Sequence, residues 1–166
     1  MDDFDGFFFE HYARVVGSLR LACGEVSDAE DAAQEAFAKA MLRWRSVSVM
    51  DRPATWVYVV AVRELRRRMR RRDDLSDAGR VGDHPALSDH AGAVVTAAVI
   101  EQALRALPPR QRLAVVLRFH SDLTVPEVSQ AMGCSEGTVK STLHSALDRL
   151  RHDLGDRGLE GAIDGS

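Results

Sequence analysis

The sequence is poor in the features that place a chain in several large classes. It has only two cysteines, Cys23 and Cys134, far apart in the chain. That excludes a disulfide-stapled scaffold and a zinc site built on a cysteine pair, and it points to a reducing, cytoplasmic setting with two small core thiols. Long hydrophobic runs are missing too: the longest, Trp56 to Val62 and Ala91 to Ile100, fall well short of the roughly 20 residues of a membrane span. The chain begins acidic, Met1-Asp2-Asp3-Phe4-Asp5, where a signal or transit peptide is basic. Neither export nor membrane insertion is expected. No glycine-rich phosphate loop, nucleophile elbow or metal-ligand spacing appears, and His84, Asp89 and His90 stand in a stretch with no rigid pattern. The sequence therefore predicts no cofactor, no metal, no catalytic residue and no enzyme.

What is present is a globular composition of 166 residues, 45% hydrophobic and 28% charged, enough for one medium core or two small ones. The net charge of −3 conceals a strong asymmetry. Residues 1–51 hold ten acids and five bases, residues 52–72 eight arginines and one glutamate, and residues 73–95 five acids and one base. One short basic stretch flanked by acidic ones is the pattern of faces that meet partners of opposite sign; the plainer alternative is a solvated helix face.

Helical spacing runs through the chain and no segment alternates with period two, so the predicted fold is all-α: two small helical domains joined by a flexible linker, the second containing a helix-turn-helix. Phe4, Phe7, Phe8, Tyr12, Val15, Val16 and Leu19 form the apolar stripe of a first helix ending near Cys23-Gly24. A second begins at a capping box, Ser27-Asp28-Ala29-Glu30, and carries Ala29, Ala33, Ala36, Phe37, Ala40, Met41 and Trp44 inward. Asp51-Arg52-Pro53 opens a third, with proline where a missing N–H does no harm. The predicted domains are 1–72 and 94–154, with a linker over 73–93 rich in Asp, Ser, Gly, His and Pro, and a tail over 155–166. Helices are expected at 94–106, 109–120, 124–132 and 135–153, punctuated by Pro108-Pro109, the capping box Thr124-Val125-Pro126-Glu127, and Gly133.

Three constellations carry chemistry. Val128 and Met132, the turn Gly133-Cys134-Ser135, and Val139, Leu143, Leu147 and Leu150 have helix-turn-helix spacing. With Val139 and Leu143 inward, Gly137, Thr138, Ser141, His144 and Ser145 turn outward with Lys140 at the edge, a small polar face that fits a major groove. On the third helix Arg63, Arg66 and Arg70 share a sector able to track phosphates, with Trp56 and Tyr58 upstream as rings for unpaired bases or, as is more usual for aromatics on an amphipathic helix, as core, Trp56 packing on Phe37. On the second, Asp28, Asp31 and Glu35 share a face at a repulsive spacing, which points to a basic partner or simply to the helix dipole.

These residues, in this order, resemble the extracytoplasmic-function (ECF) group of the sigma-70 family, the bacterial promoter-specificity subunits of RNA polymerase. Asp28 to Phe37 is similar to the family's polymerase-binding segment, Arg52 to Arg72 to its promoter-melting and minus-ten-reading segment, and Leu107-Pro108-Pro109-Arg110-Gln111-Arg112 through Ser141 to its minus-thirty-five-reading domain. The resemblance implies a non-enzymatic factor that binds core RNA polymerase, at the β′ clamp and the β flap, and promoter DNA, and that is commonly controlled by an anti-sigma factor. It implies that Asp28, Asp31, Gln34 and Glu35 contact the β′ clamp. Trp56, Tyr58, Arg63, Arg66, Arg67 and Arg70 would hold the opened minus-ten region, and Glu136, Gly137, Thr138, Lys140, Ser141 and His144 would approach the minus-thirty-five groove. Arg63 stands where the family usually has Asn, and Thr142, Ser145 and Leu147 where it usually has Arg, so each absent phosphate contact reduces the salt slope of binding by about one unit. The alternatives left by the residues alone are a stand-alone helix-turn-helix regulator and a helical adaptor whose Arg face binds an acidic protein.

Overall fold

The computed structural model describes residues 2–75 and 93–156, and among these there are helices and no strand. The first domain is α1 (Asp2–Cys23), α2 (Val26–Leu42), a single turn α3 (Trp44–Val47) and α4 (Pro53–Leu75). The second is α5 (Ala93–Ala106), α6 (Pro109–Val115), a π-helical segment over Val116–His120, α7 (Val125–Met132) and α8 (Glu136–Asp156). Leu75 ends α4, so Asp73 to Leu75 are helix rather than linker. The predicted linker beyond them, 76–92, and the tail beyond Asp156 lie outside the described residues.

In the first domain α2 is the central element, packing on both α1 and α4. Its inward face is small, Ala29, Ala32, Ala33, Ala36 and Ala40, all fully buried, and short side chains let helix axes approach closely. Larger groups close the ends of the seam: Val15 and Leu19 from α1, Val57, Val62 and Leu65 from α4. At one end the rings of Phe7, Phe8 and Tyr12 pack on Phe37 at centroid distances of 5.9, 5.2 and 5.6 Å, while Trp44 meets Phe4 and Phe7 at 5.2 and 4.9 Å. Trp56 is not one of the rings on Phe37; it is half-buried at the edge of the core. The predicted capping box at Ser27 does not form. The N-cap lies two residues earlier, at Glu25 with no side-chain cap hydrogen bond, directly after the chain turns at Gly24 (φ +78°).

The second domain follows its motifs closely. Pro109 is in the first turn of α6, and Arg112 reaches back with Nη2 to the carbonyls of Arg105 and Leu107 at 3.4 and 3.2 Å, closing the end of α5. The predicted helix 109–120 widens over its last turn into the π segment, where Ser121 N–H donates to Val116 O at 3.0 Å. Asp122, with φ +56°, then reverses the chain so that Leu123 is buried and its N–H reaches Leu117 O at 3.1 Å. The Thr124 box forms reciprocally: Thr124 N–H donates to Glu127 Oε2 at 2.7 Å and Glu127 N–H to Thr124 Oγ1 at 3.4 Å. Ser135 caps α8, its Oγ accepting from Thr138 N–H at 3.1 Å.

The two domains share one continuous core, with α7 packed on α4 and α6 and the π segment on α1. Ser18, fully buried on α1, is the polar centre of this junction: its Oγ lies 2.9 Å from His120 Nδ1, 3.0 Å from Ser121 Oγ and 3.3 Å from the Tyr58 hydroxyl. Burial, and then the Arg14 guanidinium, lower the His120 pKa, which favours the neutral ring at the contact.

Gly133 is where backbone geometry is least negotiable. It ends α7 at φ +64°, and an added Cβ would come within 3.2 Å of Arg66 Nη1. Gly133→Ala is expected to lose about 1–2 kcal/mol from the left-handed conformation, a melting temperature lower by roughly 2–8 °C. Gly133→Asn is expected to lose less, because Asn tolerates that region. Thermal unfolding followed by circular dichroism checks the order.

Candidate nucleic-acid interface

The basic helix α4 divides its charges among three directions, and helical spacing decides which goes where. Glu64, Arg68 and Arg72, at i, i+4 and i+8, face α2, which runs antiparallel beside it. Arg72 Nη2 pairs with Asp28 at 2.9 Å, Arg68 with Asp31 at 3.1 Å, and Glu64, 7% exposed, receives Lys39 at 2.5 Å and Arg67. Lys39 also holds Glu35 at 3.3 Å. The acidic stripe whose repulsion pointed to an external basic partner is thus neutralised largely within the chain. Asp28 is 8% exposed and fully engaged. Asp31, Gln34 and Glu35 keep exposed surface.

The outward face of α2 continues into residues the periodicity assigned differently. Met41, expected in the core, is 56% exposed, and Leu42 is 82% exposed. With Asp31, Gln34 and Ala38 they make an acidic-to-apolar strip along one side of the helix. The signal was present as spacing: 31, 34, 38 and 41 recur at three and four, opposite Ala29, Ala33, Ala36 and Ala40.

The second direction of α4 faces α7, and it holds Arg66. Its Nη1 donates to Met132 O at 2.5 Å, while Arg63 Nη2 lies 3.5 Å from Gln130 O, at the limit of a hydrogen bond. Burial, with Arg70 and Arg110 close by, lowers the Arg66 pKa, the mark of a crowded positive patch contributed by both domains. The third direction is solvent, where Arg63, Arg70 and Arg71 are exposed with no carboxylate partner among the described residues, and where Arg67 is also exposed. Tyr58 belongs to none of these: it is 4% exposed with its hydroxyl at Ser18, so its ring offers no face to a base. Trp56 retains a half-exposed ring.

On α8 the expected faces hold. Val139, Leu143, Ala146 and Leu150 are buried, while Glu136, Gly137, Lys140, Ser141, His144 and Ser145 are exposed and Thr138 is half-exposed. Thr138 is tied to the Ser135 cap, and His144 Nε2 lies 3.4 Å from Asp148. Of the three positions where the family usually has Arg, only Ser145 lies open to solvent; Thr142 and Leu147 are half-buried. Among the described residues no group of three His, Cys, Asp or Glu could hold a metal ion, and no helix is long and apolar enough to cross a membrane.

An all-helical pair of domains, one with a basic helix bearing a free arginine face and one with a helix-turn-helix, defines a class of DNA-directed transcription proteins. Comparison with known proteins narrows it. Residues 7–74 match the model of sigma-70 region 2 and residues 97–150 that of sigma-70 region 4. The chain is 32% identical to the RNA polymerase sigma-E factor of Streptomyces coelicolor over 161 residues, covering 92% of this chain and 89% of that protein. It is 30% identical to the ECF RNA polymerase sigma factor SigM of Mycobacterium tuberculosis over 152 residues, 92% of this chain and 77% of that one. A solved structure of the sigma factor RpoE in complex with the anti-sigma factor NepR from Bartonella quintana has the same fold, with a TM-score of 0.72 over 93% of this chain and 98% of that chain at 23% identity. The chain belongs to the ECF group of the sigma-70 family.

Glu64 ties the interface to stability. Burial alone would push its carboxyl up, but the Lys39 ammonium, with Arg67 beside it, holds it below the ordinary 4.5. A carboxyl whose folded pKa is depressed contributes stability that is present above 4.5 and lost as pH falls through the folded value. Glu64→Gln is expected to lower stability at neutral pH by about 2 kcal/mol and to flatten the acid limb of the stability profile below pH 4.5. Denaturant titrations at stepped pH check both.

Proposed function

We propose that this chain directs core RNA polymerase to a set of promoters and helps open them, acting as a non-enzymatic initiation factor in the cytoplasm. The observation that carries this reading is that two DNA-directed faces, the outward arginines of α4 and the polar N-terminal half of α8, are both exposed in a chain that matches both sigma-70 regions in order.

The division of labour follows from the chemistry of each face. Duplex sequence is read at base edges in the major groove, and α8 offers Glu136, Gly137, Thr138, Lys140, Ser141 and His144 there with its free N–H groups near phosphate. An opened strand is held by neutralised phosphates and stacked bases; Arg63, Arg67 and Arg70 supply the first and Trp56 the second. Arg66 supplies a further guanidinium once it leaves Met132. Tyr58 supports this helix from within the core. Asp31, Gln34 and Glu35, extended by Met41 and Leu42, form the surface for the β′ clamp, while Asp28 holds α4 in place. The second domain meets the β flap. An anti-sigma factor, as in the complex of the RpoE relative, is the expected antagonist.

Two pairs of substitutions at exposed residues separate these roles. Gln34→Arg with Leu42→Arg is expected to weaken core polymerase binding by about tenfold or more without changing the melting temperature. Arg63→Ala with Arg70→Ala is expected to leave core binding intact and to reduce open-complex formation by about tenfold or more, with a shallower salt dependence. Co-sedimentation with core and permanganate reactivity of the opened region check the two arms. Equal loss in both assays for both pairs would contradict the assignment.

A further inference from the structure

At the junction between the domains several polar groups compete for a single oxygen. Ser18 Oγ of α1 lies 3.0 Å from Arg14 O, 3.0 Å from Ser121 Oγ, 3.3 Å from the Tyr58 hydroxyl and 2.9 Å from His120 Nδ1. Ser18, Tyr58 and Ser121 are 1%, 4% and 6% exposed, so none of the three hydroxyls can turn to water instead. His120 is exposed, and protons therefore reach its ring without any opening of the junction.

A serine hydroxyl has one hydrogen and two lone pairs. With a neutral ring every group of the cluster is served in one way. The Ser18 proton goes to His120 Nδ1, and the Ser121 and Tyr58 hydroxyls donate to Ser18 Oγ. Arg14 O loses nothing, because in the regular helix it is served by the Ser18 N–H. Nδ1 is thus the bare nitrogen of the neutral ring. In the protonated ring Nδ1 becomes a donor, the Ser18 proton must turn to Arg14 O, and three donors meet two lone pairs. One buried hydroxyl is then left without a partner.

The charged groups around the ring do not compensate this loss. From α1 the ring meets Arg14 and Arg20, from the start of α2 Glu25, from α5 Glu101 and Arg105, and from α4, through Ser18, the Tyr58 hydroxyl. Arg118 and Asp122 flank it in the chain. Glu101 is taken by Arg105 at 2.6 Å, Arg118 by Leu123 O at 3.3 Å, and Glu25 lies 3.9 Å from Arg72. Burial, and then the Arg14 guanidinium, place the ring pKa below the ordinary 6.5. A ring whose docked pKa lies below its free value contributes docking that is present above 6.5 and lost as pH falls from there through the docked value.

We propose that Ser18, Tyr58, His120 and Ser121 form a proton-sensitive latch between the domains: with His120 neutral the second domain is held on α1, and with His120 protonated the contact loosens. None of the exposed residues assigned to DNA or to polymerase takes part, so the latch stands apart from those assignments.

Single-molecule energy transfer between dyes attached through unnatural amino acids at Ala38 and Ser145, both exposed, reads the fraction of undocked chains. Between about pH 7.5 and about pH 5.5 this fraction is expected to rise about fivefold or more in the wild type and to stay level in His120→Gln. Tyr58→Phe keeps the histidine and removes one competing donor, so Ser18 Oγ can accept from the protonated ring. This variant is expected to respond by less than about twofold, and its His120 ring, followed by NMR, to titrate at higher pH than in the wild type. A wild-type fraction that does not change with pH overturns the latch, and so does an equal rise in wild type and His120→Gln. A Tyr58→Phe variant that responds as the wild type does, with an unmoved His120 titration, overturns it as well. Should His120→Gln fail to dock at any pH, Tyr58→Phe decides alone.

Discussion

Eight arginines within Arg52 to Arg72 must be given counter-charges, and the remainder of the structure is arranged by how this is done. Like charges at i, i+4 on one helix repel by a few tenths of a kcal/mol each, so an unpartnered α4 would be weakened along its basic half. The antiparallel α2 removes part of this with Asp28 and Asp31, and the buried Glu64 of α4 itself takes Arg67. The second domain removes another part with Glu127 and the end of α7. What is left over, Arg63, Arg70 and Arg71, is exposed surface with a positive field and no carboxylate partner among the described residues, and that remainder is the face proposed to meet DNA.

The same division accounts for which features were legible in the sequence. Elements set by local chemistry were: the Thr124 box, the left-handed Gly133, the Ser135 cap and the inward row Val139, Leu143 and Leu150 all depend on residues within a few positions of one another. Features set by a distant neighbour were not. Periodicity places Asp28 on an acidic face but does not reveal that Arg72 lies against it, and it places Tyr58 near the basic face but not that Ser18 takes its hydroxyl into the core. Met41 is apolar and so reads as core, whereas position 41 lies on the side of α2 opposite the alanine seam, and Leu42 beside it is open as well. The π segment carries no evident sequence signature; it is where the chain must widen to bring His120 and Ser121 to Ser18.

The two faces proposed to meet DNA differ in how they are built, and the difference suits the tasks proposed for them. The α8 face is short, polar and rigidly mounted, with Thr138 anchored to the cap and the inward row fully packed, as reading of a fixed duplex requires. The α4 face has long, solvated guanidinium groups around a half-exposed tryptophan, suited to a strand without fixed geometry.

The central claim is that arginines on one side of α4 meet nucleic acid while those on the other side serve the fold. It is tested most directly by photo-crosslinking from single positions along α4 in holoenzyme bound to a promoter fragment that it opens. The account predicts crosslinks to the unpaired strand from positions 63, 67 and 70, and none from positions 68 and 72, which face α2. Crosslinks of equal yield from both sets, or from positions 68 and 72 alone, would contradict it.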